Sequence, residues 1–517
     1  WRAEWWGVTA GSSALAATNW KYMQRALDTM GVLSGYTGVV RLRIGRGDFY
    51  FAHRLYYEGN NGSGFTLAGE FPFDSSPKGT SFYFDGSLGG TLLYSFGANN
   101  FVTEDINFMC NVKAALGVHW DGSNSTPSAV KDISNAQNVG NCVYLETSSS
   151  HGFATGAAVG VVNIVVTAGV ADLTTGSAHG ITVGTLKRYF LSGFHANVDG
   201  VWEMKAISST VLRFLVSTSV TATYSGGLMY GTTNAEPTIR IAGRSEYGLN
   251  QVFAIIPVLT NTFAFASDIT IAGTGGTAQL IAMPSNGLTA KRCQFSGVQG
   301  TGGTGILVAH IDTATPQVAD TMIEDCRFSG SEIANRDYAA VRGLTGGNVK
   351  EHLFRSVKIT FFNNALYFPS GSGAFVVDGK SEINVMPEGV IYTTGSCTVN
   401  ISGSAHECTA GKLLASTGNF ASITLHAIAY ESSAPADDII ISFAGQLRLT
   451  GCEILNQGKT VPAKILMGGS PDFSATAASM LLSEGNWFAH ADLTSGAGQF
   501  QGYIPVVDGS GNAVTRD

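Results

Sequence analysis

LTAKRCQFSG (288–297), TMIEDCRFSG (321–330), LFRSVKITFF (353–362) and LRLTGCEILNQG (447–458) are variants of one phrase, and VTEDINFMC (102–110) is another. Each has an apolar residue, two polar or small residues, then a short alternating apolar pair, often followed by Asn or Gly. Aligned this way, Cys293, Cys326, Val357 and Cys452 share one position, and Phe295, Phe328, Ile359 and Ile454 share another. A phrase repeated along a chain marks a solenoid. One coil cannot bury its inner face alone, so coils stack and like residues lie in ladders. The polar pair reads as a corner between two short strands. The step from Cys293 to Cys326 is longer than a plain coil needs, so loops of variable length are expected to project.

The composition agrees. Only 13% of the 517 residues are charged, against about 25% in ordinary globular domains. The chain is rich in Gly, Ser, Thr, Val, Ile and Phe, as long β proteins with many turns are. Hydrophobic content of 44% supplies a large core and excludes global disorder. The net charge is −8 and the 30 Lys and Arg are scattered, which argues against a nucleic-acid groove. No apolar run is long enough for a membrane-spanning helix. The seven cysteines are odd in number and have no C-x-x-C spacing, which speaks against a disulfide framework or a zinc knuckle. They read as small buried hydrophobes.

One segment reads as a helix. In TNWKYMQRALDTMG, Thr18 or Asn19 is placed to cap, Trp20, Met23, Leu27 and Met30 follow helical spacing, and Gly31 closes it. Residues 141–286 interrupt the coil phrases. There SSSHGFATG (148–156) and GSAHGITVG (176–184) share H-G-x-x-x-G, and 201–227 matches 250–276 at a constant offset of 49, with Phe214 on Phe263 and Gly226-Gly227 on Gly275-Gly276. This predicts a duplicated small β module inserted into the solenoid.

The first 70 residues, WGVTAGSSALAATNWKYMQRALDTMG followed by TGVVRLRIGRGDFYFAHRLYYEGNNGSGFTLAGEF, resemble the opening of the pectate-lyase-like superfamily, especially bacteriophage tailspikes and tail fibres. The matching parts are Gly38 to Leu42, Gly47 to Tyr50, Leu55 to Tyr57 and Phe65 to Gly69, and the later coil phrases fit the same family. The resemblance implies an all-β, right-handed parallel β-helix with a short N-terminal capping helix. Five regions are expected: cap and first coils (1–70), start of the β-helix (71–140), the inserted module pair (141–286), the main body (287–475) and a closing or trimer-contact region (476–517). It further implies a phage tail protein, in the virion and extracellular, that works as a homotrimer beside other tail or baseplate proteins. Its partner would be a host-surface polysaccharide, capsule or lipopolysaccharide, which it attaches to and depolymerises. A receptor-binding fibre without chemistry and a secreted bacterial polysaccharide lyase are the alternatives. No cofactor, metal, nucleic acid or membrane insertion is expected.

Glycoside hydrolysis needs one proton donor and one base or nucleophile across the scissile bond. Glu332, Asp337 and Glu351 lie on the central coils and are the candidate catalytic carboxylates. Arg336, Tyr338, Arg342, Glu324 and Asp378 are the candidate substrate-binding residues, since aromatics suit sugar faces and Arg suits acidic sugars. The doublets Glu104-Asp105 and Glu324-Asp325 occupy the corner of the phrase. There Asp105 and Asp325 read as structural, while Glu324 points outward. His151 and His179, in duplicated positions, read as a repeated turn rather than metal ligands. The RGD at 46–48 reads as a tight turn at Gly47.

Overall fold

The computed structural model describes the chain except for residues 60–63, 71–78, 112, 123–127, 182, 185, 218, 233–235, 282, 299–302, 309–317, 331–338, 344–348, 369–373, 379–380, 385–388, 394–397, 404, 409–411, 417–420, 433–438, 444, 458–463, 468–479, 485, 493–496, 502–505 and 508–517. Three long sheets run side by side. The first begins with Val40–Arg43, Phe65–Ala68, Phe101–Glu104 and Thr289–Lys291. The second begins with Gly47–Phe51, Thr80–Phe84, Ile106–Met109 and Gln294–Ser296. The third begins with Leu55–Glu58, Gly90–Phe96, Ala114–Asp121 and Thr304–Val308. Successive coils each place one strand in each sheet, in parallel register. The order reverses at the far end, where Ala497–Gln501 returns antiparallel along Trp487–Asp492. The protein is a parallel β-helix.

Short alternating strands form because each buries every second residue in the tube. Phe82, Phe108, Phe295 and Phe328 stand in register in the second sheet. Phe295 is stacked between Phe108 at 5.1 Å and Phe328 at 4.8 Å. Each such pair contributes about 0.5–1.5 kcal/mol beyond burial. Ile359, Ile383, Tyr430 and Ile454 continue the same core row and are buried. The cysteine column exists as read: Cys293, Cys326, Val357 and Cys452 are all buried, and the Cys293 N–H points at Cys326 Sγ, 3.4 Å away. Before each column residue the chain turns through the left-handed region, at Arg292, Asp325, Ser356 and Gly451. Asp105 makes the same turn with φ 57°. Asp tolerates this conformation better than most side chains, so the corner acids are structural.

The helix spans Ala16–Thr37 and ends at Gly38, φ 85°. It differs from the sequence reading at both ends. Asn19 is buried inside the helix and clamps the incoming chain, accepting from Thr9 N and donating to Thr9 O, both at 2.9 Å. Gly31 lies mid-helix because a Cβ there would stand 3.1 Å from Glu58 O. It permits close packing on the first coil and does not stop the helix.

After Asp121 the chain leaves the solenoid and rejoins the first sheet at Ser285–Asn286. Between them it forms two antiparallel seven-stranded sheets from strands that begin at Lys131, earlier than the boundary of 141, and end at Leu280. The two are copies of one barrel, and one copy is nested inside the other. The parent barrel is built from 131–147 and 238–280, and the nested barrel from 159–230. The hairpin Val139↔Cys142 recurs as Thr167↔Val170, and the bulge between Ile133 and Asn135 recurs between Val161 and Asn163. The offset in this half is 28. In the other half Val143↔Phe265 recurs as Ala171↔Phe214, an offset of 51. Phe214 therefore corresponds to Phe265 and not to Phe263. The offset of 49 holds only at the last strand, where Lys131↔Ala278 matches Val159↔Met229. Incoming and outgoing chains meet at Gly156, where a Cβ would fall 1.9 Å from Gly231 O.

Candidate functional site

Both barrels dock on the outer face of the third sheet. One outward row there runs Tyr56, Tyr94, His119, Leu307, Arg342, Tyr367 and Tyr392 in register. On an unaccompanied solenoid this row would face water. Here Tyr56 and Tyr94 pack with Val252 and Ile281 beside the parent barrel, and Tyr367 packs with Leu186 of the nested one. Arg342 is 1% exposed. It holds Glu203 of the nested barrel through two bonds, 2.7 and 3.0 Å, and donates from Nε to Thr304 Oγ1.

Where solenoid and barrels do not quite meet, a cleft of about 170 Å³ remains. Its solenoid wall carries Trp20 of the helix, His53 and Arg54 of the first coil, and Tyr94. Its barrel wall carries Trp202, Glu203, Gln251 and Asp268. His53 Nδ1 lies 3.0 Å from Asp268 Oδ1, and the Trp20 ring meets His53 edge-on at 4.7 Å. Tyr94 donates to Asp121 Oδ2 at 2.6 Å. Burial first, and then the adjacent Asp121 carboxylate, hold the Tyr94 phenol well above its usual range. Arg188, also on this wall, pairs with Glu236. Burial lowers the pKa of the Arg54 guanidinium. Aromatic walls with a few fixed polar groups in a concave space are what a small ligand or a sugar unit requires.

The sequence candidates fall in different places. Glu332, Arg336, Asp337 and Tyr338 lie outside the described residues. Glu351 is on the strand Val349–Arg355 of the first sheet. Glu324 and Asp378 stand on that sheet's outer side in a ladder of charges. Glu324 meets Lys291 at 2.8 Å and Arg355 at 3.6 Å, and Arg355 also meets Asp378 at 3.3 Å. The hydrogen bond from Lys291 first, and then the nearby Lys291 and Arg355 charges, hold the Glu324 carboxyl below its usual pKa. Of the named set, Arg342 alone among the described residues lines the cleft. His151 and His179 make equivalent turns: each Nε2 faces a carbonyl oxygen, Leu259 at 2.6 Å or Ser208 at 2.7 Å, and each Nδ1 accepts from the backbone two residues on. They are the repeated turn.

The sequence reading missed Trp20, His53, Arg54, Glu203 and Asp268. One local signal was available. His53-Arg54 breaks the apolar run between Phe51 and Leu55, at the corner between the second and third sheets.

The three stacked parallel sheets define the chain as a parallel β-helix protein. Solved structures similar to it include the tailspike gp49 of Pseudomonas phage LKA1 (11% identity, 91% of this chain and 70% of that one, TM-score 0.29). Another is PfbA, a surface adhesin of Streptococcus pneumoniae (10% identity, 100% and 95%, TM-score 0.34). A third is a family 28 exopolygalacturonase of Yersinia enterocolitica (8% identity, 94% and 75%, TM-score 0.33). No family model and no curated protein matches the chain. At these values the likeness transfers no residue role.

Proposed function

We propose that this is a phage tailspike or tail fibre that holds a host-surface polysaccharide, with the cleft between solenoid and barrels as a saccharide subsite. The observation that carries the reading is the cleft itself, where the Trp20 indole stands with His53, Arg54, Glu203 and Asp268 around one cavity. Indole faces suit sugar rings, and fixed polar groups suit hydroxyls and carboxylates. A rigid stack of coils presents such a subsite repeatedly in a trimer, so weak contacts with a repeating polymer add through multivalency. In the enzymatic form of the reading, Glu332, Asp337 and Glu351 cut the chain while Arg336, Tyr338, Arg342, Glu324 and Asp378 position it.

The test is incubation of the protein with purified host capsule or lipopolysaccharide, followed by sizing of the polymer. A fall in size, abolished by alanine at Glu332, Asp337 and Glu351 with the fold retained, establishes cutting by those residues. Retention of the polymer without a fall establishes attachment alone. Neither retention nor cutting, or a monomer by light scattering, overturns the tailspike reading.

A further inference from the structure

Arg54 is the one cationic side chain named at the cleft for which no carboxylate partner is found among the described residues. Its corner lies between Gly47–Phe51 and Leu55–Glu58. Nε and Nη2 fork onto Gln251 Oε1 at 3.2 and 2.8 Å, and Nη2 also reaches Val252 O at 2.8 Å. The guanidinium carbon stands 4.5 Å from the ring centres of both Tyr94 and Phe253. The plane is thus held by an amide, a carbonyl and two rings, all of them neutral. Nη1 has no hydrogen-bond partner among the described residues.

Its neighbours are different. Arg342 is paired with Glu203, Arg188 with Glu236, and His53 with Asp268. Asp121 is fully buried, and its oxygens take the Tyr94 hydroxyl and the Gly122 N–H at 2.6 and 2.8 Å. Asp121 and Asp268 act on Arg54 only through space. A guanidinium oriented by neutral acceptors, with free N–H groups at a cleft, is a preorganised receptor for an oxyanion. Trp20 donates its indole N–H to Arg54 O at 3.1 Å, which fixes an aromatic side chain beside that receptor.

We propose that the cleft selects acidic saccharides, with Arg54 Nη1 binding the carboxylate of a uronate or similar sugar. This deepens the saccharide reading above and rests on it. The test uses oligosaccharides containing galacturonate, glucuronate or sialate, each beside its carboxyl-reduced form, titrated calorimetrically into the full chain. At least one acidic oligosaccharide should bind tighter than its reduced form by about tenfold or more, the scale of a charge-assisted hydrogen bond. Arg54→Gln should erase that difference, so that the acidic and reduced forms bind alike. Arg54→Lys, which keeps the charge but loses the fork, should retain part of it and serves as the check that the site still folds. Equal binding of acidic and reduced forms overturns this inference and leaves the saccharide reading standing. So does an acid preference that survives in both variants. Binding of none of the probes removes the saccharide reading, and this inference with it.

Discussion

The parent and nested barrels have the same strands, the same bulge and the same histidine turn, yet their outer faces have opposite character. In the parent barrel Tyr144 sits across from Ala264, and that face packs on Phe190 and Val201 of the nested barrel. The equivalent pair in the nested barrel is Asp172 across from Arg213, joined by two bonds at 2.6 and 2.8 Å. Val258, 5% exposed in the parent, corresponds to Ile207, 38% exposed in the nested copy. Inside, the two agree: Val143, Leu145, Ile241 and Phe265 correspond to Ala171, Leu173, Leu191 and Phe214, all buried. Closure of the barrel dictates the inner positions, whereas each outer position answers only to what covers it. The half-buried Asp172–Arg213 pair, still open to solvent on one side, contributes little to stability by itself.

The sharpest way to break this equivalence is in the cores. Phe265→Ala and Phe214→Ala should each destabilise their own barrel by about 3–5 kcal/mol, the range for a buried phenylalanine. Amide hydrogen exchange would read this strand by strand. The nesting adds an asymmetry. The parent barrel closes around a long connection, whose entropic cost grows only slowly with length. Loosening the nested barrel through Phe214→Ala should therefore leave the parent strands protected. Equal loss of protection in both barrels would mean that the pair unfolds as one unit.

A smaller effect is expected where the nested barrel meets the solenoid. Arg342 is almost wholly buried, with its fork spent on Glu203. Removing one partner of a buried pair leaves the other charge uncompensated, at a cost of about 3 kcal/mol or more. Glu203→Gln, which strands the more deeply buried Arg342, should cost about that much, measured by denaturant unfolding, while Arg342→Met, which leaves only the more exposed Glu203 carboxylate unpaired, should cost less. The opposite order would show that the ion pair does not fasten the barrel to the third sheet.

These sites differ in how far the sequence announced them. The column of Cys293, Cys326, Val357 and Cys452 was legible because each coil repeats the same few residues at the same corner, so local text carries the tertiary contact. The duplication was legible in pieces only. Nesting splits it into one half offset by 28 and another by 49 to 51, and no single alignment spans such a change. The helix was visible from its apolar spacing, but its glycine was misread, because close approach to Glu58 is a property of the neighbour. The cleft was illegible. Arg54 meets Gln251, and Arg342 meets Glu203, across 197 and 139 residues of chain, and no pattern in either segment refers to the other. The ordered first-sheet ladder of Glu324, Arg355 and Asp378 shows the converse: charges at the repeated corner attract attention in a sequence even where each carboxylate has a nearby cation.

The smallest expected effect concerns the shared histidine turn, and it separates the barrels by pH. His151 accepts from Phe153 N at Nδ1, so Nε2 carries the proton and donates to Leu259 O. The ring is therefore held neutral. Burial lowers its pKa below the usual 6.5, and this outweighs the two carbonyls, which act the other way. With the folded pKa below the unfolded one, the unfolded chain binds the extra proton first. The turn's contribution is then complete above about pH 6.5 and is lost as pH falls through the folded value. Protonated Nδ1 would also point a donor at the Phe153 N–H. Once the slower base-catalysed chemical exchange at low pH is divided out, protection at Thr147 and Phe153 should fall as pH goes from 7 to 5, and His151→Asn, which keeps one donor and one acceptor but does not titrate, should flatten that response. An unchanged pH response in His151→Asn would place the parent barrel's acid sensitivity elsewhere, and the two histidine turns would then be alike in geometry alone.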